Sequence, residues 1–156
     1  MDPKRNRIFL DSNVIVSGFF SAEGAPRLIL DLLSLGLPVL GGVTGQFNLM
    51  EVERTLRNKL PEALPVYSEF LPLLNLEVVP LPSPRDLRPY LGHVQDKDAP
   101  VLASADQAEA DFFISGDKRL LTACREFPQL MFRAAEPAEF LDRILPVLLA
   151  GPFRRP

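Results

Sequence analysis

Among the 156 residues there is one cysteine, Cys124, one histidine, His93, and no tryptophan. A single thiol excludes an internal disulfide, and one Cys with one His falls short of a zinc site built by one chain. A lone imidazole excludes nuclease chemistry that needs two histidines as acid and base, and it leaves a Ser-His-Asp triad one possible base. Long hydrophobic runs are missing as well. The charged amino terminus leads into only Ile8-Phe9-Leu10 before Asp11, shorter than a signal-peptide core, and Asp31 interrupts the apolar stretch from Leu28 to Val43. The expectation is a soluble protein of a reducing cytoplasm with no membrane association.

Carboxylates and prolines are plentiful. Twenty Asp+Glu against 17 Lys+Arg give a net charge of −3, so the chain is no basic nucleic-acid coat, although bound cations can reverse the sign of an acidic pocket. Sixteen prolines are scattered as punctuation between elements, and 47% hydrophobic residues are enough for one well-buried core. We read a single domain over 1–150 and a carboxyl-terminal tail over 151–156.

Apolar bursts and helical periodicities alternate along the chain. Strands are predicted at 7–10, 37–43, 76–79, 112–114 and 130–132. Helices are predicted at 26–35, from a cap at Thr44 to about 60, over 62–74 with breaks at Pro65 and Pro72, and at 85–91, 98–110, 118–125 and 136–150. The run Gly41-Gly42-Val43-Thr44-Gly45 fits no phosphate-loop pattern and reads as a strand-to-helix turn. This alternation predicts a three-layer α/β/α domain around a mainly parallel sheet of about five strands.

In such a sheet the functional crevice lies beyond the carboxyl ends of the strands. Asp11 follows Ile8-Phe9-Leu10 and Asp117 follows Phe112 to Gly116, so both project at that edge, while Asp98 opens a helix of small residues. Glu51 lies on the helix after the second strand. Leu49, Val52, Leu56 and Leu60 form an apolar stripe on that helix with Glu53 nearer to it than Glu51, so periodicity does not choose between the two glutamates. Each acid also has an ordinary role open to it: Asp11 and Asp117 as turn or cap residues, Asp98 as an N-cap, Glu51 as a surface residue. Converging carboxylates repel one another, and a divalent cation is the natural compensation. Oxygen ligands suit Mg²⁺ or Mn²⁺.

The segments Leu10-Asp11-Ser12-Asn13-Val14-Ile15-Val16-Ser17, Asp96-Lys97-Asp98-Ala99-Pro100-Val101-Leu102-Ala103-Ser104-Ala105 and Phe113-Ile114-Ser115-Gly116-Asp117 resemble, in order and spacing, those of PIN-domain proteins. The resemblance spans nearly the whole domain. It implies an Mg²⁺- or Mn²⁺-dependent endoribonuclease, including the toxin of a VapC-type toxin–antitoxin pair, with RNA as substrate, an antitoxin protein as possible partner and a homodimer as possible assembly. On its terms Asp11, Glu51, Asp98 and Asp117 are the catalytic and metal-binding acids and Asp96 is an accessory acid. Asn13 and Ser115 orient the acids or a bound water. Arg54, Arg57, Lys59, Lys118 and Arg119 are candidate contacts to the RNA backbone, with solvated helix faces as their ordinary alternative. Ser12 and Ser115 stand where threonine is frequent in the family.

Two other functions compete. An aspartyl-nucleophile phosphatase would use Asp11 to attack phosphorus, but Asn13 stands where such enzymes usually carry a second acid. A non-catalytic module with the PIN fold would bind RNA or a protein without turnover.

Overall fold

The computed structural model describes residues 5–150 and builds a five-stranded parallel sheet in the order β3-β2-β1-β4-β5. The strands are β1 (Asn6–Leu10), β2 (Leu40–Gly45), β3 (Glu77–Val79), β4 (Phe112–Ile114) and β5 (Arg133–Ala135). Between and after them run α1 (Ser12–Phe20), α2 (Ala25–Ser34), α3 (Gln46–Lys59), α4 (Leu64–Phe70), α5 (Pro84–Leu87), α6 (Ala99–Gln107), α7 (Lys118–Arg125) and α8 (Pro137–Ala150). The predicted α/β/α class is the observed one. The tail read at 151–156 lies outside the described residues.

The central strand explains the layering. Ile8, Phe9 and Leu10 are all fully buried, as expected for a strand covered on both faces rather than one alternating with solvent. Successive side chains point to opposite faces. Ile8 and Leu10 enter a core with Ile15, Leu30, Leu33, Phe140 and Ile144 from α1, α2 and α8. Phe9 enters the other, with Val43, Phe113, Leu102, Ala105, Leu120 and Leu121. The small side chains of α6 let its axis lie close to the sheet, and Ala99, Ala103 and Ala105 are buried there.

Several boundaries differ from the sequence reading, for identifiable reasons. The glycine run is strand rather than turn: Gly41, Gly42 and Gly45 all belong to β2. A Cβ on Gly42 would sit 2.7 Å from Leu76 and 2.9 Å from Leu33, so the glycine lets neighbouring side chains pack onto the strand. Thr44 is not a helix cap. It is buried in β2 and its hydroxyl donates to the Leu10 carbonyl at 2.9 Å, while Gly45 takes the cap position of α3. The last strand lies at Arg133–Ala135 instead of 130–132, because Phe132 packs beside the Phe113 ring whereas the ladder to β4 begins where the Arg133 N–H meets the Asp111 carbonyl. Residues 62–74 split as the prolines require, into a 3-10 turn at Pro61–Ala63, α4, and a second 3-10 turn at Leu71–Leu74. The segment read as a helix at 85–91 shortens to α5, closed at its start by a capping box between Ser83 and Asp86.

Candidate active site

The parallel sheet brings the ends of β1 and β4 side by side, and Asp11 is the first residue beyond β1. It accepts the Ser12 N–H, and only 6% of its surface is exposed. Four donors converge on its carboxylate. The Ser12 N–H (2.8 Å) and Asn48 Nδ2 (3.2 Å) reach Oδ1, and the Ser115 hydroxyl (2.7 Å) and Asn13 Nδ2 (3.2 Å) reach Oδ2. Ser115 also accepts the Asp117 N–H at 3.0 Å, and Asn13 Oδ1 accepts the Gly116 N–H at 2.9 Å. Asn13 and Ser115 therefore bind the end of β1 to the turn after β4. That contact is consistent with the orienting role the family resemblance implies for them.

Glu51 projects from α3 into the same place, where the Ser12 hydroxyl donates to its Oε1 at 3.0 Å. Glu53 is exposed and does not line the cleft that Glu51 lines. The fold thus separates two glutamates that helical spacing left open. Asp98 closes a 3-10 turn (Asp96–Asp98) immediately before α6, and its side chain makes no capping hydrogen bond, contrary to the N-cap role its position suggests. Asp117 does cap: its Oδ1 accepts the N–H groups of Arg119 and Leu120 at the start of α7. Asp11, Glu51, Asp98 and Asp117 line one cleft of about 320 Å³, together with Ser12, Asn13, Ser17, Thr55 and Lys97.

The remaining charged candidates from the sequence do not line this cleft. Asp96 is exposed and does not line it. Arg54, Arg57 and Lys59 lie exposed on α3, and Lys118 and Arg119 on the first turn of α7, with Arg119 bonded to Gln95 at 3.0 Å. Lys97, which the sequence reading did not select, is the cation that lines the cleft. Asn48 was also missed. It is fully buried, and its Nδ2 reaches both Asp11 and the Ser12 hydroxyl, at 3.2 and 3.1 Å. One signal could have found it: Asn48, Val52 and Leu56 are the buried residues of α3, so Asn48 is a polar residue at helical spacing on the buried face.

The electrostatics follow from this placement. Burial raises the Asp11 carboxyl to about 6, with the charges of Glu51 and Asp98 adding to the rise and the bonds from Ser115 and Ser12 opposing it. Asp98 is also raised, first by burial and further by Asp117, against Lys97 and Arg119. None of the four acids forms an ion pair among the described residues. The donor set is all hard oxygen, which fits Mg²⁺ or Mn²⁺. Among the described residues no three acids are grouped closely enough to form a ready-made metal cluster.

No protein-family model and no curated protein matches the chain. Nine chains of solved structures match it in three dimensions. One belongs to VapBC2 from Rickettsia felis bound to a DNA fragment from their promoter, with a TM-score of 0.60 and 12% identity, covering 83% of this chain and 98% of that one. At that identity the likeness is one of fold, and the chain has the three-layer α/β/α PIN fold.

Proposed function

We propose that this protein is an Mg²⁺- or Mn²⁺-dependent endoribonuclease acting as a VapC-type toxin. The observation that carries the reading is the convergence of Asp11, Glu51, Asp98 and Asp117, from four separate elements, on one cleft in which none of them has an ion pair among the described residues. A structural role rarely needs four acids there, because their mutual repulsion and burial cost stability until a cation offsets them.

When bound, the cation would lower the pKa of a water and stabilise charge on the phosphoryl oxygens. The protein's own part is positional. Ser115, Asn13 and Asn48 hold the Asp11 carboxylate in one orientation. Ser12 holds Glu51 against it, and the cap at α7 orients Asp117. Asp98, whose side chain has no hydrogen bond among the described residues, is the acid most able to adjust toward a ligand. Lys97 at the cleft, with Lys118 and Arg119 beside it, suits contacts to RNA phosphates.

The decisive experiment is cleavage of a mixed structured-RNA pool with Mn²⁺ or Mg²⁺, beside chelator, Asp11→Asn and Asp98→Asn. Metal-dependent cutting lost in both variants supports the nuclease. RNA binding without turnover in a metal-loaded, folded protein supports the non-catalytic module instead, a reading favoured by the saturation of Asp11 with four donors. The toxin reading further expects an antitoxin encoded in an adjacent reading frame and a homodimer by light scattering.

A further inference from the structure

Strand β5 ends the sheet, and its outer side faces a groove of about 660 Å³, roughly twice the acidic cleft and sharing no residue with it. The Arg133 N–H donates to Asp111 at 2.9 Å and the Ala135 carbonyl accepts from Ser115 at 3.1 Å, so both residues turn their main chain toward β4. Alternation along the strand directs the N–H and C=O of Ala134 to the open side. The groove lies between Cys124 to Phe132 on one wall and Glu139 and Arg143 of α8 on the other. Three guanidiniums, Arg125, Arg133 and Arg143, line it against one carboxylate. That carboxylate, Glu139, is already engaged by Arg125 at 3.3 Å and by the Glu136 N–H at 3.2 Å. Arg133 and Arg143 have no ion pair among the described residues, on a chain whose net charge is −3.

We propose that this groove docks an extended acidic segment of a partner protein, which pairs with the main chain of Ala134 and places its carboxylates on Arg133 and Arg143. An unpaired edge is a template for another strand, and charge decides which strand it accepts. A second copy paired through β5 would bring a second set of Arg125, Arg133 and Arg143 to the same seam with one carboxylate each, and like charge would accumulate across it. Residues 151–156 carry Arg154 and Arg155 and no acid, so this segment is like-charged too. An acidic strand satisfies both the hydrogen-bonding and the electrostatic demand. With three residues in β5, main-chain pairing is brief, so charge supplies most of the affinity and binding weakens as salt rises.

The test is fluorescence anisotropy of the full chain with a labelled octapeptide of alternating Glu and Val, against its Lys-Val counterpart and a centrally N-methylated Glu-Val version. The acidic probe is expected to bind at least about tenfold tighter than the basic one, and Arg133→Glu with Arg143→Glu to weaken it about tenfold or more. N-methylation is expected to weaken it severalfold, and the probe to slow hydrogen exchange at the Ala134 amide. Both arginines are exposed, so the doubly substituted chain keeps its fold, which a thermal melt checks. Absence of binding would overturn the proposal and leave the arginines as guards against edge aggregation. So would equal binding of the N-methylated probe, or self-association that the double substitution abolishes.

Discussion

Asp11 binds its proton more tightly in the folded chain, at about 6, than an unfolded aspartate does near ~3.9. The folded state therefore carries the extra proton between those values, and metal-free stability falls as pH rises from about 4 to about 6, by up to ~3 kcal/mol. Melting curves in chelator across that range check the sign. A cation competes for the ionised form, so the gain in Tm on adding Mn²⁺ is expected to be larger at pH 7 than at pH 5. Asp98→Asn and Asp11→Asn separate repulsion from hydrogen bonding. Among the described residues Asp98 has no side-chain hydrogen bond to lose, so Asp98→Asn is expected to raise the metal-free Tm while weakening Mn²⁺ binding by calorimetry. In Asp11→Asn the new NH₂ faces donors already in place, so its stability gain is expected to be smaller or reversed. Asn48→Ala removes two donors from Asp11 and Ser12, one of them to a carboxylate, and is expected to cost about 1–3 kcal/mol and to weaken Mn²⁺ affinity. Of these residues the aspartates were legible in the sequence because they follow or begin predicted elements. Asn48 was not singled out, because one polar residue within an amphipathic helix is unremarkable until its face is known to be buried.

At the scale of elements, the site depends on how closely α3 and α6 approach the end of β2. A Cβ on Gly45 would sit 2.9 Å from both Asn48 Oδ1 and Ser104 Oγ, so a methyl group there presses on both helices. Gly45→Ala is expected to cost ~1–3 kcal/mol from overpacking and to reduce metal affinity in the folded fraction, because Asn48 moves with α3. Gly42→Ala costs a similar amount but meets Leu33 and Leu76, away from the acids, and is expected to leave metal affinity unchanged. Differential scanning fluorimetry paired with Mn²⁺ calorimetry distinguishes the two. Apolar bursts predicted four of the strands, while the fifth, read at 130–132, lies wholly beyond that burst at Arg133–Ala135. Strand ends shifted where an apolar residue packs beside the sheet without joining it, as Phe132 does, or where glycines continue a strand because neighbouring side chains fill the space above them.

At the scale of the whole molecule, the proposed nuclease function requires an acidic chain to approach a polyanion at an acidic cleft. A bound cation reverses the local sign, so chelation is expected to weaken binding of a non-cleavable 2′-O-methyl RNA about tenfold or more, and to do so most at low salt. Lys97→Glu is expected to weaken the same binding with metal present and to lower the metal-free melting temperature, since Lys97 offsets the charge of Asp98. No described helix is long and apolar enough to cross a membrane.

The α/β/α class and the carboxyl-edge position of Asp11 and Asp117 were determined by sequence alone. Strand and helix periodicities are local, and a parallel sheet aligns its strand ends by construction. Choosing Glu51 over Glu53 within the fold, freeing the Asp98 side chain from capping, placing Lys97 at the cleft and burying Asn48 against Asp11 were left to tertiary structure. Each depends on the rotation of a helix about its axis or on its distance from the sheet, which packing between segments distant in sequence sets.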